Sequence, residues 1–258
     1  MPSTQDVLDL MQQVAAEVIT PRFRALSTGE VEQKTPGDYV TVADREAEAL
    51  ITRELTRMFP DAVVVGEEAC FTKPSLEFSL PGTRHAFTVD PVDGTRNFVK
   101  GSPDHAVMIA ELVDGITTRS WIWQPERGDA YVAERGAGVE LNGHVLVRDE
   151  QPRLPLGATS KDSRHGFVGG GELAPVVESA WSCGIDYPYL LEGKVDYLVY
   201  KNVHPWDHLP GALMVTELGG AVRNFRGEDY TAAWTGPGVI AAATPEIAET
   251  VQRLWREP

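Results

Sequence analysis

Between Ala106 and Val147 the chain breaks into short apolar pieces, AVMIAELVDG, RSWIWQPERG, DAYVAERG and VELNGHVLV, parted by Asp-Gly, Arg-Gly and Asn-Gly pairs. Such pairs supply the positive-φ positions of tight hairpins, so successive pieces fold back on one another as an antiparallel meander. Helical periodicity surrounds it. Val7, Leu8, Met11, Val14, Ala15 and Val18 share one helical face behind the polar starters Ser3 and Thr4, and Pro21 ends the pattern. Thr41 caps a second helix with the apolar face Ala47, Leu50, Ile51, Leu55 and Met58; Asp44 sits in its first turn and Pro60 beyond its end. Further on, Pro205 opens a helix that Gly219 and Gly220 stop, and a strand, GVIAAA, precedes a last amphipathic helix, Pro245 to Trp255. Long helices alternating with a meander predict a layered α+β fold rather than a doubly wound parallel sheet.

A chain of 258 residues that is 42% hydrophobic can bury a full core, as one large domain or as two intimate halves. The Pro- and Gly-rich stretches Gln151 to Gly157 and Arg164 to Pro175 set the expected division at 1–150 and 151–258, packed closely as one unit. Lys and Arg number 23 against 38 for Asp and Glu, a net charge of −15. That charge repels nucleic-acid backbones and anionic lipid, so neither is expected as a partner, and a basic partner or a bound cation fits better. Cys70 and Cys183 are too few for a disulfide framework, the start lacks the blocks of a secretory signal, and no apolar run reaches membrane-spanning length. A cytoplasmic location is the expectation.

Two short apolar strands run straight into acids. AVVVG, 62–66, leads to Glu67 and Glu68, and HAFTVD, 85–90, delivers Asp90 to its end, where Pro91 turns the chain without leaving an amide unpaired. Asp93 then returns beside Asp90. Carboxylates this close repel unless a hard cation sits between them, and the Val92 carbonyl adds an oxygen of the kind magnesium accepts. Gly94 and Thr95 follow at a helix start, whose N–H groups and dipole favour an anion such as phosphate. Taken singly, Asp93-Gly94 is equally a plain turn, Asp90 and Glu67-Glu68 solvated strand ends, and Trp206-Asp207 a helix start with an acid in its first turn.

Taken together, Asp90 to Phe98 reads DPVDGTRNF. This resembles, at every fixed position, the metal-binding motif Asp-Pro-x-Asp-Gly-Thr-x-Asn-Phe of the inositol monophosphatase family of lithium-sensitive, magnesium-dependent phosphatases. Trp206, Asp207, Gly211, Gly219 and Gly220 match a second motif of that family, and Gly66, Glu67 and Glu68 a third. The likeness spans nearly the whole chain. It implies the αβαβα sandwich of the sugar phosphatases and hydrolysis of a small phosphomonoester by metal-activated water. It implies about two or three Mg2+ ions, held by Glu67, Asp90, Asp93, Asp207 and the Val92 carbonyl. By the same likeness the Gly94 and Thr95 amides and Asp207 meet the substrate, Thr95 with Asp44 orients the attacking water, and Glu67 holds the metal that activates it. No serine or cysteine nucleophile is then needed. Competition by lithium and pairing as a homodimer are further implications.

Substrate choice is expected in the stretch before Asp207. Relatives that prefer inositol phosphate carry a Glu seven residues before the motif aspartate; here that position is Tyr200, followed by Lys201 and Asn202. Tyr200 reads either as a residue packing at a strand end or, with Lys201, as part of a substrate surface suited to a second anionic group. Histidinol phosphate, adenosine bisphosphate, fructose bisphosphate and NADP stay open, as does a non-catalytic metal- or phosphometabolite-binding protein. Ser160, Lys161 and Arg164 read as leaving-group contacts or as solvated side chains. His105, His204 and His208 fit no zinc spacing and read as surface or hydrogen-bonded residues, His208 near the pocket rim. Cys70 reads as structural.

Overall fold

The computed structural model describes residues 2–27, 29–35, 37–149, 153–234 and 236–255. Ser3 caps α1 (Thr4–Val14) through a reciprocal pair with Asp6, and the helix runs on through a π turn at Ala15–Ile19 to a short turn at Thr20–Arg22, where Pro21 sits. Val7, Met11, Val14, Ala15 and Val18 are all buried, as their spacing predicts. A hairpin, β1 (Val31–Thr35) with β2 (Asp38–Thr41), follows between the first two helices. Most of β1 faces solvent on both sides, so no period-two hydrophobic signal marks it. Thr41 then caps α2 (Val42–Met58): its hydroxyl accepts the Ala43 amide while the Asp44 carboxylate accepts the Thr41 amide.

The larger sheet has seven strands paired in chain order: β3 (Val63–Gly66), β4 (His85–Asp93), β5 (Ala106–Val113), β6 (Ile116–Gln124), β7 (Asp129–Glu134), β8 (Gly138–Leu141) and β9 (His144–Val145). β3 runs parallel to β4; each later pairing is antiparallel, which is the predicted meander. Between β3 and β4 lie α3 (Glu67–Thr72) and a 3-10 segment, Pro74–Gly82, and α4 (Thr95–Val99) follows β4. β5 is apolar at nearly every position because both of its faces are covered. Val107 and Ile109 pack in one cluster with α1 and α2, Ala106 and Met108 in another with Tyr187 and Leu213.

A second sheet of five strands contains β10 (Gly157–Thr159), β11 (Val177–Glu178), β12 (Tyr197–Tyr200), β13 (Ala221–Asn224) and β14 (Val239–Ala242), in the order β11-β10-β12-β14-β13. β10 is parallel to both neighbours and the other pairings are antiparallel. α5 (Cys183–Leu191) and α6 (Pro205–Glu217) lie between the sheets, and α7 (Pro245–Leu254) covers the far side of the second through Ala248 and Val251. The layers therefore read α1 and α2, sheet, α5 and α6, sheet, α7, the αβαβα sandwich. The expected division at 150/151 falls outside the described residues, and the middle layer draws its core from both sides of it. Cys70 and Cys183 are buried free thiols. Among the described residues no helix is long and apolar enough to cross a membrane.

Candidate metal and phosphate site

β4 pairs with β5 as far as Asp90 against Met108, and the register then slips until Asp93 faces Ala106. The strand is thus carried through a bulge rather than ended by Pro91, whose missing N–H suits the unpaired step. Asp90 Oδ1 accepts the Val92 N–H at 3.1 Å, which folds the carboxylate back over the bulge. Gly94 turns the chain with φ 82° and ψ 34°, and a Cβ there would lie 2.9 Å from both the Asp104 carbonyl oxygen and Ser182 Cβ. Only glycine meets both demands.

Asp93 is held from the opposite wall. It accepts the Ser182 hydroxyl, the Cys183 amide at 3.1 Å and the Gly184 amide at 2.7 Å, so the start of α5 donates to a carboxylate. Asp207 enters from the first turn of α6. Ligand oxygens of Asp90, Asp93 and Asp207 all lie within 4.8 Å of one another. These acids, together with Glu67, Val92, Gly94 and Thr95, line a cavity of about 220 Å³.

Glu67 is the first residue of α3, and its carboxylate accepts Lys34 Nζ at 2.9 Å; Glu68 accepts the same ammonium at 2.6 Å. Glu48, from α2, accepts the Glu68 and Ala69 amides at 2.8 and 2.9 Å and so caps α3. A Cβ at Gly66 would come within 2.3 Å of the Glu48 carboxyl carbon, which is the physical reason for glycine ahead of the paired glutamates. Thr95 Oγ1 lies 2.9 Å from Asp44 Oδ1 and 3.0 Å from the Val92 carbonyl, so the structure brings the threonine and the α2 aspartate together.

Burial, then the negative charges of Glu67 and the neighbouring aspartates, pushes Asp90 well above the usual carboxylate range. Burial and the charges of Glu67 and Asp93 push Asp207 up to about 8. Asp93 rises to about 6, burial outweighing the relief from Ser182, Gly184 and Cys183. Asp44 rises to about 7 by burial, against the Thr41 hydrogen bonds. For Lys34, burial opposes the ammonium, but Glu67 and Glu68 more than offset it and its pKa goes up. Buried carboxylates short of positive charge, beside a backbone carbonyl, form the hard-oxygen donor set that Mg2+ takes. The residues present fit that ion.

The other sequence-predicted residues fall elsewhere. Tyr200 and Lys201 border a second cavity of about 250 Å³ together with Ser160 and Lys161, outside the acidic one. The Tyr200 hydroxyl donates to Asp186 at 2.5 Å, and Asp186 also accepts the Ala180 amide at 2.7 Å. His208 is buried rather than at the rim, with its ring 3.1 Å from the Tyr187 hydroxyl and 3.3 Å from the Asn202 carbonyl. His105 is buried against the rings of Phe23 and Phe98, and His204 stacks on Trp206 with centroids 4.9 Å apart. Sequence reasoning missed Lys34, Glu48, Arg96, Trp181, Ser182 and Asp186. Ser182 alone carried a signal, a capping residue type directly ahead of a helix.

The inositol monophosphatase family model matches residues 4–257. The Nus factor SuhB of Escherichia coli strain K12 is 30% identical over 258 residues, 94% of this chain and 92% of its own. The SuhB of Pseudomonas aeruginosa is 31% identical over 227 residues, 83% and 82% of the two chains. Among solved structures, the IMPase of Thermotoga maritima is 26% identical with a TM-score of 0.79, over 96% of each chain. The extragenic suppressor protein suhB of Bartonella henselae is 26% identical with a TM-score of 0.80, over 97% of this chain and 98% of its own. Fold, motifs and whole-length match agree: the chain belongs to the inositol monophosphatase family.

Proposed function

We propose that the chain is a Mg2+-dependent phosphatase that hydrolyses a small phosphomonoester by direct attack of water. One observation carries this: carboxylate oxygens of Asp90, Asp93 and Asp207 within 4.8 Å of one another, in a cavity that continues to Gly94 and Thr95. In this reading Glu67, Asp90, Asp93, Asp207 and the Val92 carbonyl hold the metal, and the Gly94 and Thr95 amides take the phosphate. When bound, the metal lowers the pKa of water and neutralises phosphoryl charge. The side chains do the placing: Ser182 and the α5 amides fix the oxygens of Asp93, Lys34 and the capped α3 aim Glu67, and Thr95 beside Asp44 orients the water. Residues 1–150 supply most of the ligands, and residues 151–258 supply Asp207 and the surface facing the leaving group.

Tyr200, bonded to Asp186 where inositol-selective relatives have Glu, argues against inositol phosphate as the preferred substrate. Histidinol phosphate, adenosine bisphosphate and fructose bisphosphate are the classes to compare in a phosphate-release screen. Release that needs Mg2+ and stops on chelation is expected, with lithium competing for one metal position. Silence across the panel at saturating Mg2+ overturns the reading. The name of the curated relatives, Nus factor, supplies a second reading in which the fold serves as a factor without turnover. That silence is the result which would favour it.

A further inference from the structure

The rim of the acidic cavity carries an exposed guanidinium and an exposed indole, Arg96 on α4 and Trp181 in the loop before α5. Arg96 Cζ lies 4.6 Å from the centre of the Trp181 ring. Among the described residues that ring is its partner, and no carboxylate pairs with it. A guanidinium laid over an aromatic face keeps its in-plane N–H donors free, and their fork matches a carboxylate or phosphate.

Trp181 occupies a left-handed backbone conformation, φ 59°, which a Cβ-bearing bulky residue adopts only at a cost. Its neighbours hold it there. The Ala180 carbonyl accepts the Asn97 side-chain amide at 2.7 Å, the Ala180 N–H donates to Asp186 at 2.7 Å, and the Ser182 hydroxyl donates to Asp93. The Trp181 indole N–H is itself fixed on Glu178 at 2.7 Å. Trp181 keeps 38% of its surface exposed at the rim of the cavity. Over-determined strain is concentrated at functional positions, and this indole holds Arg96 beside the cavity.

We propose that Arg96, held on Trp181, receives a second anionic group of the substrate, so that the preferred phosphomonoesters carry a further carboxylate or phosphate on the leaving group. This rests on the phosphatase reading and deepens it. The rest of the wall is strongly acidic, with Asp38, Glu67, Asp90, Asp93 and Asp207 on the same cavity, so an anionic leaving group needs a cation of its own there.

Matched substrates test the assignment at saturating Mg2+: glycerol 2-phosphate against 2-phosphoglycerate, and fructose 1-phosphate against fructose 1,6-bisphosphate. The first pair adds a carboxylate at short reach, the second a phosphate at longer reach. The wild type is expected to favour the anionic member of at least one pair in kcat/KM. Arg96→Gln is expected to lower that ratio about tenfold, the scale of one charge-assisted hydrogen bond, mainly through KM. Trp181→Asn, which tolerates the left-handed backbone, should shift the ratio the same way by less, with the melting temperature retained. No wild-type preference in either pair, an equal fall on both members in Arg96→Gln, or an unchanged ratio there overturns the inference while leaving the phosphatase reading intact. Release from no member at all by the wild type overturns that reading and this one with it.

Discussion

The two walls that meet at Asp93 are built in opposite ways. Asp90 to Val99 is one contiguous run whose backbone course is set locally: a bulged strand end, a glycine at φ 82°, the start of a helix. Glu178 to Gly184 arrives from the other half of the chain, donates to Asp93 through Ser182, Cys183 and Gly184, and lifts Trp181 to the rim. The first wall concentrates negative charge; the second holds that charge still and faces what lies beyond it. Reaction chemistry can therefore be written into a short motif, while positioning and selection are assembled from residues that become neighbours only on folding.

The contrast breaks most sharply at the first wall. Asp93→Asn or Asp207→Asn is expected to lower kcat/KM by at least about a thousandfold, the upper scale for loss of one preorganised electrostatic contact. Metal-free Asp207→Asn should melt no lower than the wild type, because it removes a buried carboxyl crowded by Glu67 and Asp93. Asp93→Asn turns an NH2 toward the amide donors of Cys183 and Gly184 and should melt lower. Turnover near wild type in either would detach these acids from the chemistry. The second wall should respond more mildly. Ser182→Ala removes one donor to Asp93 and is expected to weaken Mg2+ affinity about tenfold, read by calorimetry, with activity recovered at higher Mg2+. An affinity equal to wild type would make Ser182 a packing residue.

The smallest expected effect concerns pH. Burial is the leading cause that raises Asp44, Glu48 and Asp186 to about 7. Unfolded, such groups ionise near about pH 4. Between those values the folded chain binds more protons at these three groups, so the stability they contribute to the metal-free protein is fully present below about pH 4 and is lost as pH rises through about 7. Melts in chelator at about pH 5 and about pH 8 should show the lower Tm at the higher pH, and Mg2+ should narrow the gap by binding the ionised native site. A metal-free Tm that climbs over this interval contradicts the assigned shifts.

What the sequence made legible follows the same division. The meander, α1, α2, α6 and α7 were readable because their faces repeat at fixed periods, and the Thr41 cap because its signal is local. Asp90, Asp93 and Glu67 stood out because apolar strands end in them. The β1 and β2 hairpin was not readable, since little of it is buried, nor was the role of Lys34, whose partners are Glu67 and Glu68 far along the chain. Tyr200 could be flagged from its departure from the family pattern, but its bond to Asp186 depends on β12 lying against α5, which no spacing encodes. Pro91 misled for a physical reason: a proline ends a regular ladder yet fits a bulge, and the bulge is what turns Asp93 back toward Asp90.

Anomalous diffraction from crystals soaked in Mn2+ with inorganic phosphate tests the central claim most directly. Expected are metal peaks bonded to Asp90, Asp93 and Asp207, one of them reaching Glu67, with phosphate against the amides of Gly94 and Thr95. Full occupancy of Mn2+ elsewhere, with these carboxylates unliganded and the Gly94 turn free of phosphate, would contradict the account.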